Sequence, residues 1–237
     1  MAETALNRYS RQTTLVPPDK MATAKAVVIG VGAVGRRLAL LLADMGVSSL
    51  ALVDHDEINV ENLAPQAYRA SQIGQNKAEA TAVDCRVQNP DVVVTPVPRR
   101  FGKSDWRTLE NAYVFSCVDS ITARGLLYEA AVKAGSLWFG DARVLGELLR
   151  VISAPGPLSA DGPYAGTIFA QSEAAVGVCN AARMSSYGAA TAAALLAASF
   201  VQYVRGSAPH FGDRTLSLGT WDLLETPGAA PRKEGGR

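Results

Sequence analysis

Short runs of apolar residues, each closed by a glycine or an acid, set the rhythm of the first 140 positions. Residues 26–29 (AVVI) are consecutively apolar, the pattern of a buried strand. Gly30, Gly32 and Gly35 follow as G-x-G-x-x-G and open a helix expected to reach about residue 45. Residues 50–53 predict a second strand ending on Asp54, and residues 76–87 a helix whose first residue is Lys77. The β-branched run Val92-Val93-Val94-Thr95 marks a third strand within 91–98, and residues 106–111 a short helix. A fourth strand (113–118, YVFSCV) ends on Asp119, a helix follows over 122–134, and a fifth strand over 136–139. Alternating strands and helices predict a doubly wound parallel sheet.

Beyond Asp141 the rhythm changes. Residues 145–154 alternate as an antiparallel strand does. Residues 155–166 hold three prolines and three glycines and read as a loop. Residues 169–179 lack a period and form a candidate crossover loop over the site. Residues 215–224 predict a last strand. Upstream, residues 6–15 read as an exposed N-terminal helix with solvated Arg8 and Arg11, stopped by Pro17 and Pro18. The division that follows is a nucleotide-binding unit over 26–140, a C-terminal part over 141–225, both in one domain spanning 1–225, and a disordered tail over 226–237.

Composition narrows the classes. The chain has 237 residues, 48% hydrophobic and 19% charged, with a formal net charge of +1. That suits a globular protein and gives no field for nucleic acid or an anionic membrane. Cys85, Cys117 and Cys179 are scattered, with no Cys-x-x-Cys, so no zinc site is expected and a reducing cytoplasm fits. The polar N-terminus carries no signal-peptide core. Residues 184–204 lack charge over 21 positions, long enough to cross a membrane. Their Ala, Ser, Thr and Gly content favours a helix packed inside a protein.

The chemistry lies at the strand ends. Gly30 permits a tight turn, Gly32 lets the backbone approach a phosphate, and Gly35 lets the helix pack on the strand. The helix start presents N–H groups that favour an anion. Asp54 lies 19 residues beyond Gly35, where a carboxylate can accept from a ribose hydroxyl. Lys77 at a helix start opposes the dipole, which makes sense beside phosphate or as a solvated surface charge. Asp119 closes a parallel strand on the ligand side of such a sheet, and either it or Ser120 can cap the next helix.

Taken in order, RYSRQ (Arg8 to Gln12), GVGAVG, DHD (Asp54 to Asp56), ENL (Glu61 to Leu63), IGQNK ending in Lys77, QNP (Gln88 to Pro90), and CVDS with Asp119 followed by Arg124 form a series that resembles the ThiF/MoeB-type adenylyltransferases, the superfamily of the ubiquitin-activating enzymes. FGDARVLGEL (Phe139 to Leu148) resembles that family's strand pair beyond the switch of the sheet. The resemblance covers about residues 6–206. It implies an α/β fold with a Rossmann-like, mostly parallel sheet and antiparallel strands toward the C-terminal end. It also implies an ATP-dependent enzyme that adenylates the C-terminal glycine of a small ubiquitin-like or sulfur-carrier protein. By the same resemblance, Gly30, Gly32, Gly35, Asp54 and Asp56 serve the nucleotide, Asn62 and Lys77 contact phosphates, and Asp119 holds Mg²⁺. Arg11 reaches the ATP of the other subunit in a homodimer. A cysteine placed as Cys179 is used by some members to take the carrier from the adenylate; the plain alternative is a small buried hydrophobe.

Two positions depart from that pattern. The family's Asn-Leu-x-Arg-Gln is Asn62-Leu63-Ala64-Pro65-Gln66 here, with Pro65 where a phosphate-binding arginine belongs; Arg69, Arg36 or Arg37 could compensate. The two zinc-binding Cys-x-x-Cys pairs of many relatives are missing. Pro65 keeps open a nucleotide-binding scaffold without catalysis. Gly30, Gly32, Gly35 and Asp54 alone would also fit a NAD-dependent oxidoreductase, which leaves RYSRQ and IGQNK without a role.

Overall fold

The structure, a computed structural model, describes residues 8–173, 185–207 and 210–226. An eight-stranded sheet runs in the order β3-β2-β1-β4-β5-β6-β7-β8. Its members are β1 (Lys25–Ile29), β2 (Ser49–Val53), β3 (Val93–Val97), β4 (Tyr113–Ser116), β5 (Trp138–Leu145), β6 (Leu148–Pro155), β7 (Gly212–Ser217) and β8 (Leu223–Thr226). Pairings from β3 through β5 are parallel, and those from β5 through β8 antiparallel. The chain winds outward from β1 through β2 to β3, then returns to place β4 on the other side of β1. Connections leave β1 and β4 in opposite directions, so a crevice opens at the carboxyl ends of those two strands.

The central strands β1 and β4 are buried on both faces, whereas the edge strand β3 leaves Val93 and Thr95 exposed. Helices α1 (Pro18–Met21), α2 (Ala33–Met45), α3 (Leu63–Gln66), α4 (Lys77–Gln88), α5 (Ile121–Ala134) and α6 (Ser186–Val204) surround the sheet. Val28, Leu52, Phe115 and Trp138 point to the layer of α2, α4 and α6, where they meet Leu38, Leu42 and Phe200. Val27, Val114 and Phe139, one residue out of phase, point to the layer of α5, where they meet Leu127 and Tyr128. The two-residue period of a strand thus serves two cores. Helix α6 is long and apolar enough to cross a membrane, with half of its most apolar window buried. It packs against α2, β5 and β6, with Leu196 and Phe200 fully buried, as expected of a helix packed inside a protein.

The elements expected among the described residues are present with three shifts, while most of the expected crossover loop over 169–179 and of the tail over 226–237 lies outside the described residues. Strand β5 extends to Leu145 rather than stopping at 139, and turns at Gly146 (φ 62°) into β6. The expected strand over 215–224 is two, β7 and β8, which form a hairpin around Gly219. The short helix over 106–111 is a 3-10 helix, Lys103–Leu109. Pro96 lies inside β3, which the edge position of that strand tolerates.

At the N-terminus Arg8 is helical and residues 9–15 are turns, so a helix is not what continues through Arg11. This segment docks at the carboxyl ends of α2 and α4. Asn89 Nδ2 donates to the Tyr9 hydroxyl (2.7 Å) and to the Ala43 carbonyl (2.7 Å). Arg8 donates to the Gln88 carbonyl (2.8 Å) and Gln12 to that of Asp44 (3.1 Å). The Tyr9 ring occupies the space a side chain at Gly46 would need, and Gly46 also ends α2 in the left-handed region (φ 78°). Two of the sequence motifs, RYSRQ and QNP, therefore meet in space.

Candidate nucleotide site

The glycine turn is fixed by sterics. Gly30 has φ 86°, and a Cβ there would lie 2.6 Å from the Cys117 carbonyl oxygen. A Cβ on Gly35 would lie 1.8 Å from the Gly30 oxygen, so only glycine lets α2 start this close to β1. At Gly32 the same Cβ would meet nothing nearer than Gln66 Oε1 at 3.8 Å. Two glycines are thus required by the protein's own packing, and a side chain at the third would meet only Gln66, in ordinary van der Waals contact.

Asp54 closes the turn from the β2 side. It is nearly buried, and its Oδ2 accepts from the Val31 N–H (2.6 Å) and its Oδ1 from the Asp56 N–H (2.9 Å). Two charge-assisted bonds pin the carboxylate and leave each oxygen with capacity for a further acceptance. Asp56 pairs with Lys77 Nζ (3.0 Å) and with His55 Nε2 (3.1 Å). Partial burial works against ionising Asp56, but the Lys77 hydrogen bond and charge, with His55 and Arg100, outweigh it and hold the carboxyl below its ordinary value. Lys77 is 7% exposed, which removes the solvated-surface reading of this residue.

What holds Lys77 there is Asn76, whose part the motif alone did not disclose. Its Oδ1 caps α4 by accepting from Ala78 N–H (2.8 Å) and Glu79 N–H (3.3 Å). Its Nδ2 donates to the carbonyls of Asp54 (3.2 Å) and Asp56 (3.1 Å). One asparagine ties a helix start to a strand exit, and an asparagine ahead of a helix was the available signal. Asn62 lies in a 3-10 turn (Val60–Asn62), where its Oδ1 accepts from the Asn59 N–H (3.0 Å).

Asp119 follows β4, the strand beside β1, and Cys117 N–H donates to the Ile29 carbonyl (2.8 Å) across that pair. The carboxylate is exposed and makes no hydrogen bond or ion pair among the described residues. Ser120 caps α5 through Ala123 N–H (3.3 Å), and Gln171 Oε1 accepts from Ile121 N–H (2.7 Å), so the helix needs nothing from Asp119. Asp54, His55 and Asp56 also bring ligand atoms within 4.8 Å of one another, but both oxygens of Asp54 are bonded to backbone and Asp56 is paired with Lys77. Among these carboxylates, Asp119 is the one that fits a divalent cation sharing phosphate oxygens.

Behind Asp119 lies a buried charged network that sequence reading did not resolve, although Arg124 stood in the motif series. Asp141, fully buried on β5, accepts from Arg124, from Arg143 Nε (2.7 Å) and from the Tyr164 hydroxyl (3.0 Å). Arg143 also donates to the Thr167 carbonyl (2.9 Å) and Oγ1 (3.0 Å). Burial and the neighbouring Arg143 bring Arg124 down to about 10. Arg11 is exposed and belongs to the segment docked at the far end of α2. Cys179 lies outside the described residues. Burial pushes the thiols of Cys85 and Cys117 up to about 12.

A family model for the ThiF family matches residues 9–232. The chain belongs to the ThiF family. It is 37% identical over 139 residues to mouse adenylyltransferase and sulfurtransferase MOCS3, an alignment covering 54% of this chain and 30% of the relative. It is also 37% identical over 108 residues to the SAMP-activating enzyme E1 of Haloferax volcanii, covering 43% of this chain and 40% of the relative. The ThiF-family chain thus spans well under half the length of these curated relatives. Among solved structures, E. coli MccB in complex with MccA shares the fold, with a TM-score of 0.77 at 20% identity, covering 95% of this chain and 73% of that one.

Proposed function

We propose that the chain is an ATP-dependent adenylyltransferase acting on the C-terminal glycine of a small ubiquitin-like or sulfur-carrier protein. The observation that carries this reading is the uncommitted carboxylate of Asp119, placed at the end of the strand next to the glycine turn. Support comes from relatives named as an adenylyltransferase and as an activating enzyme. In the reaction a carrier carboxylate oxygen attacks the α-phosphorus of ATP. The bond from that phosphorus to the β-phosphate bridge breaks, pyrophosphate leaves with the electron pair, and an acyl-adenylate remains. No redox partner is needed. Such a transfer rests on positioning and on neutralising phosphate charge. In this reading Asp54 takes the ribose, the glycine turn takes phosphate, and Lys77 adds a positive charge on release from Asp56. Mg²⁺ held by Asp119 would supply further charge neutralisation.

A homodimer with shared sites belongs to the same reading. Arg11 sits in a segment anchored to Asp44, Gly46 and Gln88, while the site lies at the start of α2. Thirteen helical residues separate those ends, about 20 Å. A phosphate contact by Arg11 is therefore easier to make in a partner's site than in its own. Cys179 would act after adenylation, its thiolate attacking the acyl carbon and expelling AMP; Cys85 and Cys117, held protonated, are poor substitutes.

The test is pyrophosphate release on mixing the chain, ATP, Mg²⁺ and a panel of small ubiquitin-fold proteins ending in glycine. Release should depend on the terminal glycine and stop when it is deleted. ATP binding without release for any member would favour the scaffold. Cys179→Ala should keep release and lose any thiol-sensitive adduct.

A further inference from the structure

Three arginines surround the glycine turn and α3, and two are paired with Asp84. Arg36 bonds Asp84 (2.8 Å) and the Ala67 carbonyl (3.1 Å), and stacks over the Tyr68 ring at 4.4 Å. Arg69 pairs with the other oxygen of Asp84. Arg37 differs. Its Nε is buried without a hydrogen-bond partner, and among the described residues the side chain makes no ion pair or ring contact. Buried guanidinium nitrogens are normally paired, because an unmet donor costs its desolvation.

Position explains what the unpaired group could meet. Arg37 is one turn beyond Ala33 on the same face of α2. Helical side chains lean toward the N-terminus, which here carries Gly32 and the space between it and Gln66. On the other side of that space the Gln66 Oε1 is buried and unpartnered as well. Pro65, which precedes it, offers neither charge nor a backbone N–H. We propose that Arg37 binds the terminal phosphates of the nucleotide, supplying from α2 the guanidinium that α3 lacks. Burial and the neighbouring Arg36 charge disfavour the cation in the free protein. The opposite charge of an arriving polyanion offsets both. This inference rests on the reading that the site takes ATP.

The experiment compares binding of ATP and AMP to the wild type, Arg37→Met and Arg37→Lys by calorimetry, with melting of each nucleotide-free protein. Arg37→Met should weaken ATP by at least about tenfold and leave AMP within about twofold. Arg37→Lys should fall between, keeping charge without the bidentate fork. The nucleotide-free Arg37→Met protein should melt no lower than the wild type, since no hydrogen bond or ion pair among the described residues is lost. ATP affinity within twofold of the wild type in Arg37→Met overturns the assignment and leaves the adenylation reading standing. So does a parallel loss of ATP, AMP and melting temperature, which marks a packing role. A wild type that binds no ATP removes both.

Discussion

Two clusters of charge flank the carboxyl end of β4, and they are built on opposite plans. Under β5, Asp141 is fully buried and saturated by Arg124, Arg143 and Tyr164. At the rim, Asp119 and Arg37 are left without hydrogen-bond partners among the described residues. Charges that hold a fold together are paired, since an unpaired buried ion is expensive. Charges left open at the mouth of a crevice contribute nothing to the folded chain alone, and a ligand is what completes them. Saturation, more than residue type, separates scaffold from working parts here.

The sharpest way to break that comparison is to remove one member of each cluster. Asp119→Ala should reduce carrier-dependent pyrophosphate release by about a thousandfold. Its melting temperature should stay close to that of the wild type, because no hydrogen bond or ion pair among the described residues is lost. Asp141→Ala should do the reverse in kind. It leaves two buried arginines without a counter-charge, and urea titration should show a loss of about 3 kcal/mol. A stable Asp141→Ala protein, or an Asp119→Ala protein that unfolds early, would dissolve the distinction.

A second saturated carboxylate sharpens it. Burial opposes ionising Asp84, but hydrogen bonds from Gln72, Arg69 and Arg36 outweigh that and hold the carboxyl below its ordinary value. A carboxyl depressed in the folded state adds stability above its unfolded value, and that stability is lost as pH falls through the folded value. Chemical denaturation should therefore show Asp84→Asn about 2 kcal/mol less stable than the wild type at pH 7. The gap should narrow below about pH 4 as the wild-type carboxyl takes up its proton. A gap independent of pH would mean that the charge of Asp84 is not what matters.

These clusters also show what the sequence could disclose. Gly30, Gly35 and Asp54 were legible because their constraints are local: a turn, a helix start and a strand end set by neighbouring residues. The doubly wound order followed from the alternation of elements. The extent of β5 was not legible, since residues 140–145 hold their strand by pairing with β6 across the turn at Gly146. The break between β7 and β8 is marked in the sequence by Gly219 alone, a single glycine that the surrounding run of strand-forming residues obscures. Asn76 and Asp141 act through partners 17 to 23 positions away, a separation that spacing alone does not encode. The QNP and RYSRQ motifs were visible, but their meeting through Asn89 and Tyr9 required the fold.

The smallest expected effect tests the shared site. Arg11→Ala and Asp119→Ala should each be inactive alone. Mixed in equal amounts and allowed to exchange subunits, they should recover about a quarter of wild-type activity, because half the dimers are hybrid and each hybrid has one intact site. No recovery after proven exchange would place Arg11 in its own subunit's site or outside the reaction.

The intact mass of the carrier, measured after brief incubation with the chain, ATP and Mg²⁺, tests the central claim most directly. A carrier ending in glycine should gain the mass of one AMP with the wild type, gain nothing with Asp119→Ala, and gain nothing when its last glycine is removed. An AMP adduct that forms equally well without Asp119, or on a carrier without the terminal glycine, would contradict the account.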